Sequence, residues 1–318
     1  MRIGVSTHPG RKRRHNEDAY VIEPPLFAVA DGMGGAKAGE VASGLAAAAL
    51  KEGSVDGESA EERVTALIQE ANSRVFRRAN EDRDASGMGT TMTVALVEPD
   101  RVVFGHVGDS RAYLIRDEQI EQLTDDHSLV AELVRSGRLT PEEAEAHPQR
   151  SVITRAVGTE ADVDVDTFSI QPAAGDLFLI CSDGLTDMVD DQTIIQAIEK
   201  HRGNLDEAAK ALVGAANRGG GEDNITVVLL EVSDDEPAED TAITQQAPVI
   251  ESATSEDEDT LSGLEGVPTA DDTMIVPPED AEAHSERPKR RSRALPIGAA
   301  IAVLLIIAAA VLWLLDHA

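Results

Sequence analysis

The 318-residue chain is expected to form an α+β domain of antiparallel strands with helices between them, followed by a C-terminal transmembrane helix. Three observations carry this expectation. Short apolar runs rich in β-branched residues and bounded by Gly, Asp, Asn or Ser recur up to about residue 232, as buried strands do. Between them lie stretches whose apolar residues repeat at helical spacing. Near its end the chain has 22 consecutive uncharged residues, Ala294 to Leu315, and about 20 such residues cross the hydrocarbon core of a bilayer.

The strands are expected at Leu26–Ala30, Thr91–Val97, Val102–Val107, Ala112–Ile115, Leu177–Cys181 and Ile225–Leu230. The short link from Val107 to Ala112 favours a hairpin over a crossover helix, and therefore antiparallel pairing. Among the helices, Glu40 to Leu50 is rich in Ala, and Glu61 to Asn80 places Val64, Leu67, Ile68, Ala71 and Val75 on one face. Asp191 is suited to cap a helix running to about His201. Leu205 to Asn217 is periodic and stops before Gly219-Gly220-Gly221, as a helix end requires.

Four of the strand runs deliver an aspartate at one end: Asp31-Gly32, Gly108-Asp109-Ser110, Ser182-Asp183-Gly184 and Asp223-Asn224. If those ends meet, their like charges repel strongly unless divalent cations lie among them. Composition narrows the partners. A formal charge of -31 disfavours nucleic acid, whose phosphates call for cationic surfaces. The single cysteine, Cys181, lies inside an apolar run, so it can form no internal disulfide and suits a reducing compartment.

Past the strand-bearing region the composition changes. Residues 231–286 hold 18 acidic residues and no Lys or Arg, which cannot offset the entropy of ordering, so 233–286 are expected to form a disordered acidic linker. Residues 287–293 carry Arg287, Lys289, Arg290, Arg291 and Arg293. Cations clustered beside a span stay on the cytoplasmic side, so the expected arrangement is a single-pass protein of the cytoplasmic membrane. Its folded domain faces the cytoplasm, 294–315 span the bilayer, and 316–318 form an extracytoplasmic tail.

Six motifs, in order, carry a resemblance: Arg13-Arg14-His15-Asn16-Glu17-Asp18, Asp31-Gly32-Met33-Gly34-Gly35, Gly89-Thr90-Thr91, Gly108-Asp109-Ser110-Arg111, Ser182-Asp183-Gly184-Leu185 and Asp223-Asn224-Ile225-Thr226. Together they resemble the bacterial metal-dependent type 2C serine/threonine phosphatases over about residues 1–232. The resemblance implies a four-layer α-β-β-α sandwich of two antiparallel sheets flanked by helices, with the metals at one end. It also implies that Asp31 bridges two Mn²⁺ or Mg²⁺ ions, that the Gly32 carbonyl ligates one of them, and that Asp183 and Asp223 hold the other. Asp109 would serve a third metal, while Glu17 and Asp18 would orient metal-bound water and Asn224 would steady Asp223. An all-oxygen donor set suits these hard cations and argues against zinc. Arg13 would grip the phosphate with its guanidinium fork. The basic neighbours Arg11, Lys12 and Arg14 would draw a phosphorylated segment towards it.

The chemistry implied is attack on phosphorus by a metal-bridging hydroxide. Met33 stands where animal relatives carry His and cannot protonate the leaving alcohol, so no protein general acid is assigned. Residues 126–158 resemble the family's flap, with Ser136-Gly137-Arg138-Leu139-Thr140-Pro141 as a turn inside it. His127 and His147 are expected to pack or cap rather than to bind metal. The function implied is removal of phosphate from Ser and Thr of cytoplasmic phosphoproteins, membrane-associated Ser/Thr kinases and their targets included. The alternative is a non-catalytic membrane-anchored scaffold or phosphoprotein-binding protein with the same fold. The sequence carries no signal of oligomeric state.

Overall fold

The computed structural model describes residues 1–53 and 59–232. Within them two antiparallel sheets pack face to face. The first runs, in spatial order, β1 (Arg2–His8), β11 (Ile225–Glu231), β10 (Leu177–Cys181), β7 (Arg111–Arg116) and β8 (Gln119–Gln122). The second runs β2 (Asp18–Glu23), β3 (Leu26–Met33), β5 (Met92–Val97), β6 (Val102–Val107) and β9 (Asp166–Ile170), with the short β4 (Gly89–Thr90) paired to the end of β3. Helices α1 (Gly35–Glu52) and α2 (Ala60–Glu81) cover the outer face of the second sheet, and α6 (Asp191–Lys200) and α7 (Leu205–Gly219) that of the first. The expected four layers are therefore present.

Strand side chains alternate between faces, and here both faces are covered. In β3, Phe27 and Val29 enter the core between the sheets, while Leu26, Ala28 and Ala30 face the helices. In β10, Phe178 and Ile180 enter the same inter-sheet core, and Leu177, Leu179 and Cys181 pack under the helices. This double burial explains why the strands read as unbroken apolar runs. Phe104 anchors the inter-sheet layer, its ring 5.2 Å from that of Phe168 and 5.6 Å from that of Phe178. Truncating it to Ala would cost about 3–5 kcal/mol.

The helix ends follow from local chemistry. Ser59 and Glu62 form a reciprocal capping box at the start of α2, and Asn204 accepts from the Glu207 amide at the start of α7. The cap of α6 is Asp190, whose carboxylate accepts from the Thr193 amide at 2.8 Å; Asp191 is the first helical residue, one position past the expected cap. Helix α1 begins at Gly35, ahead of the Ala-rich stretch that signals it.

The expected hairpin from Val107 to Ala112 is not formed. β6 pairs with β5 and β9, and β7 pairs with β10 and β8, so the short link crosses from one sheet to the other. Gly108 makes that crossing possible. Its φ is +111°, and a Cβ there would lie 2.6 Å from the Thr91 side chain. Stacked sheets offered a second destination for a short link, which connection length alone does not reveal.

The flap lies between β8 and β9 and contains α3 (Leu129–Arg135) and α4 (Pro141–Glu145). It is tied at its base by bridges between Ser128 and Ile153 and between Thr90 and Val157. Gly137, in the turn between the helices, has φ +70°. Among the described residues no helix is long and apolar enough to cross a membrane. The expected acidic linker (233–286), basic segment (287–293), transmembrane helix (294–315) and tail (316–318) lie outside the described residues.

Candidate active site

One end of the sandwich holds a cavity of about 580 Å³. Asp31, Gly32, Asp109, Asp183 and Asp223 all line it, although they come from distant parts of the chain. Arg13, Arg14 and Glu17 line the same cavity, as does Ser151 of the flap. Asp18 stands directly across the β2–β3 pairing from Asp31.

Asp31 is placed by hydroxyls remote from it in sequence. The Asp31 amide donates to Thr91 Oγ1 at 3.0 Å, the Asp31 carbonyl accepts from Thr90 Oγ1 at 2.8 Å, and Thr91 Oγ1 lies 2.6 Å from Ser110 Oγ. The Gly-Thr-Thr motif is thus the support of Asp31 and couples it to the loop bearing Asp109. Asp183 opens α5 (Asp183–Thr186) directly after β10. A Cβ on Gly184 would lie 2.0 Å from the Asn224 carbonyl oxygen, and only glycine permits that approach of the segments carrying Asp183 and Asp223. Asp223 Oδ1 accepts from the Asn224 amide at 2.8 Å, and its Oδ2 accepts from Arg13 Nη2 at 2.6 Å.

Asn224 steadies Asp223 through its backbone, not its side chain. The side-chain Oδ1 accepts from the Glu17 amide at 2.7 Å, and Nδ2 donates to the carbonyls of Pro9 and His15, each at 3.0 Å. These bonds bind the basic loop to the start of β11. Behind them, Asp18 Oδ2 accepts from Thr226 Oγ1 at 2.6 Å and from Ser182 Oγ at 2.9 Å. The sequence alone gives no sign that these two hydroxyls share Asp18. Both lie within motifs that mark the site, yet their shared partner depends on cross-sheet packing.

The electrostatics are those of anions crowded out of water. Burial pushes Asp18 up to about 6 against the lowering effect of the Thr226 and Ser182 hydroxyls, with Asp223 raising it further. Burial, then the charges of Asp18, Asp183, Asp109 and Asp223, holds Asp31 well above the ordinary carboxylate range. Burial, then Asp109, Asp187 and Asp223, does the same to Asp183. Asp109 is pushed up to about 6 by burial and by Asp126, against Arg111. Burial also raises Glu17, with Arg13 opposing.

Among the described residues, two oxygens of this cluster, Asp18 Oδ1 and Asp183 Oδ1, are buried without a hydrogen-bond partner. An unpartnered buried carboxylate oxygen is costly unless a cation or ordered water takes it up. Oxygen donors, crowded like charges and orphaned lone pairs together fit a pair of hard divalent cations. Among the described residues no three acidic, His or Cys side chains are closed tightly enough to cage an ion as they stand; Asp223 is drawn onto Arg13 instead.

His127 and His147 do pack and cap. His127 Nδ1 accepts from the Gly108 amide at 3.0 Å and its Nε2 lies 3.1 Å from Asp166 Oδ2, while His147 Nδ1 accepts from the Gln149 amide. His127 thereby ties the flap base to the loop of Asp109, a role with no signal in the sequence. His15 lies exposed at the cavity mouth.

The family model of protein phosphatase 2C matches residues 11–215. The chain belongs to the protein phosphatase 2C family. Its relatives place it among the bacterial metal-dependent serine/threonine phosphatases. It is 43% identical over 242 residues to the serine/threonine phosphatase stp of Listeria monocytogenes, covering 73% of this chain and 96% of that protein. It is 40% identical over 264 residues to the serine/threonine protein phosphatase PstP of Mycobacterium tuberculosis, covering 82% of this chain and 50% of that protein. The crystal structure of the PstP catalytic domain in complex with two manganese ions superposes with a TM-score of 0.67 at 40% identity, covering 73% of this chain and 98% of that one. The chain is thus a protein-serine/threonine phosphatase of the 2C family, which uses Mn²⁺ or Mg²⁺.

Proposed function

We propose that this phosphatase is held at the cytoplasmic membrane and removes phosphate from phosphoserine and phosphothreonine of cytoplasmic proteins, membrane-associated Ser/Thr kinases among them. The observation that carries the catalytic part is one cavity lined by Asp31, Asp183, Asp109 and Asp223, with Arg13 and Arg14 on its wall. Asp31, Asp183, Asp223 and the Gly32 carbonyl would hold two divalent cations, and Asp109 a third. When bound, these ions supply an activated water for in-line attack and neutralise charge on the phosphoryl group.

The side chains around them position and polarise. Arg13 is charged at any physiological pH and can fork onto two phosphoryl oxygens. Its side chain is 53% exposed, so an entering phosphate meets it early. Asp18, with Oδ2 held by two hydroxyls, keeps Oδ1 as a buried acceptor that meets no donor among the described residues. Asn224 keeps the Arg13 loop and Glu17 in register with Asp223.

The membrane part rests on composition. The uncharged stretch 294–315 and the cations of 287–293 suit a span with its basic flank on anionic lipid. As a flexible coil, the 233–286 segment would reach roughly 40 Å, and confinement to the membrane would raise the effective concentration of kinases sharing it. The test is dephosphorylation of matched phosphoserine, phosphothreonine and phosphotyrosine peptides, followed by mass spectrometry, together with fractionation of cells expressing the full chain. Turnover of the first two peptides, loss of it in Asp183→Asn, and recovery in the membrane fraction are expected. Binding without turnover would favour the scaffold, and recovery in the soluble fraction would remove the tether.

A further inference from the structure

Asp18 begins and ends a circuit of hydrogen bonds that runs through the edge strand of the first sheet. Its amide donates to Asn16 Oδ1 at 3.3 Å, and Asn16 Nδ2 donates to Thr7 Oγ1 at 2.8 Å. Thr7 Oγ1 lies 2.7 Å from Thr226 Oγ1, which donates to Asp18 Oδ2 at 2.6 Å. Thr7 is on β1, and Thr226 stands directly across from it on β11. Thr226 is fully buried, whereas Thr7 is exposed. Neither lines the candidate active site.

One arrangement of protons satisfies this circuit. A hydroxyl has a single proton to give, and an ionised carboxylate can only accept. The Thr226 proton is committed to Asp18, so the Thr226 oxygen accepts from Thr7. The amide nitrogen of Asn16 can only donate, so the Thr7 oxygen accepts there and its own proton goes to Thr226. Ser182 Oγ adds a second donor to Asp18 Oδ2 at 2.9 Å, while accepting from the Thr226 amide at 2.9 Å. Bonds aligned head to tail in this way polarise and strengthen one another.

Both hydroxyl donors to the carboxylate fall on Oδ2. Oδ1 is buried and meets no donor among the described residues, and Asp18 pairs with Asp31 across β2 and β3. A carboxylate gripped through one oxygen by two donors resists rotation, which keeps its other oxygen available to water on the cations. We propose that Thr7 and Thr226 are positioning residues for the reaction: their hydroxyl relay from Asn16 fixes the orientation of Asp18, so that an exposed side chain on the edge strand bears on metal binding and turnover. This rests on the reading of Asp18 as the carboxylate that orients water on the metal ions, and adds the residues that hold it to that task.

The experiment uses the full chain and reads Mn²⁺ binding by isothermal titration calorimetry alongside p-nitrophenyl phosphate turnover. Thr226→Val keeps the side-chain shape and removes a hydroxyl bonded to a charged group, so kcat is expected to fall roughly tenfold and Mn²⁺ affinity roughly three- to tenfold. KM should barely move, because Arg13 is untouched. Thr7→Val deletes only the outer link, at a position water can reach, so a loss of roughly two- to threefold in kcat is expected, with melting in EDTA unmoved. Thr226→Ser and Thr7→Ser restore the donor and should return kcat and Mn²⁺ affinity towards those of the unaltered chain. An unchanged kcat in Thr7→Val, or a Ser variant no better than its Val counterpart, overturns the relay. Asp18→Asn separates this from the reading beneath it: a loss of Mn²⁺ affinity and kcat there leaves the role of Asp18 standing whatever the threonines do, and no loss overturns both.

Discussion

Arg13 and Asp223 are joined end to end, with Nη2 of the guanidinium 2.6 Å from Oδ2 of the carboxylate. The residue assigned to phosphate is thus engaged with one assigned to metal, and the two roles can be separated by mutation. Arg13→Ala removes a charge-assisted contact to phosphate worth about 1.5–3 kcal/mol, so KM for p-nitrophenyl phosphate should rise by about tenfold or more. Asp223 is freed by the same change, so the Mn²⁺ concentration for half-maximal rate should not increase. A raised Mn²⁺ requirement at unchanged KM would reverse the assignment.

Asp31 and Asp183 are held in a cluster that disfavours their charge. Asp31→Asn and Asp183→Asn should each abolish turnover yet relieve repulsion in the metal-free protein. In EDTA, melting should rise by about 2–4 °C, the shift expected for roughly 1 kcal/mol in a domain of this size. A fall in melting temperature for both variants would mean that these carboxylates support the fold rather than strain it.

His106 gives the fold an acid limb away from the catalytic carboxylates. It is buried, with Nδ1 2.9 Å from Thr93 Oγ1, Nε2 3.2 Å from the Asp125 carbonyl oxygen and its ring 4.8 Å from that of His127. Burial, then the charge of His127, lowers it to about 4, with Asp126, the Asp125 carbonyl and Asp166 opposing. An unfolded His takes up its proton near 6.5. The neutral form is therefore favoured by folding, and its contribution is present above about pH 6.5 and lost as pH falls towards 4. About 3 kcal/mol is involved. Urea unfolding at stepped pH should show this loss, and His106→Gln should flatten it; an identical slope in the variant would exclude His106 as its source.

Asn224 holds three backbone groups of the basic loop through its side chain. Asn224→Ala leaves them without their partner and should cost about 3 kcal/mol in urea unfolding, with a higher KM as the Arg13 loop loosens. Asn224→Asp should rescue neither effect, because a carboxylate cannot donate to the carbonyls of Pro9 and His15. Rescue by Asp would place the role of Asn224 elsewhere.

Six strands and the carboxylates gathered in the cavity were legible, because the strand runs are unbroken apolar stretches and four of them carry an Asp beside Gly, Ser or Asn at one end, whereas β1, β2, β4, β8 and β9 were not. Nor was the destination of a short link. Gly108 sends the chain to the other sheet rather than into a hairpin, and only the space beside Thr91 makes glycine necessary there. The supporting bonds were hidden for the same reason. Thr226 and Ser182 meet on Asp18, and Thr91 meets Ser110, across segments far apart in sequence. Local pattern identifies which residues are unusual, while partners of this kind are set by sheet stacking.

The central claim is that separated aspartates form one divalent-metal centre that hydrolyses phosphate monoesters. It is tested most directly by p-nitrophenyl phosphate turnover of the full chain after EDTA treatment and again after Mn²⁺ is restored. Activity should vanish with chelation and return with the metal. Turnover that persists unchanged through EDTA would contradict the claim.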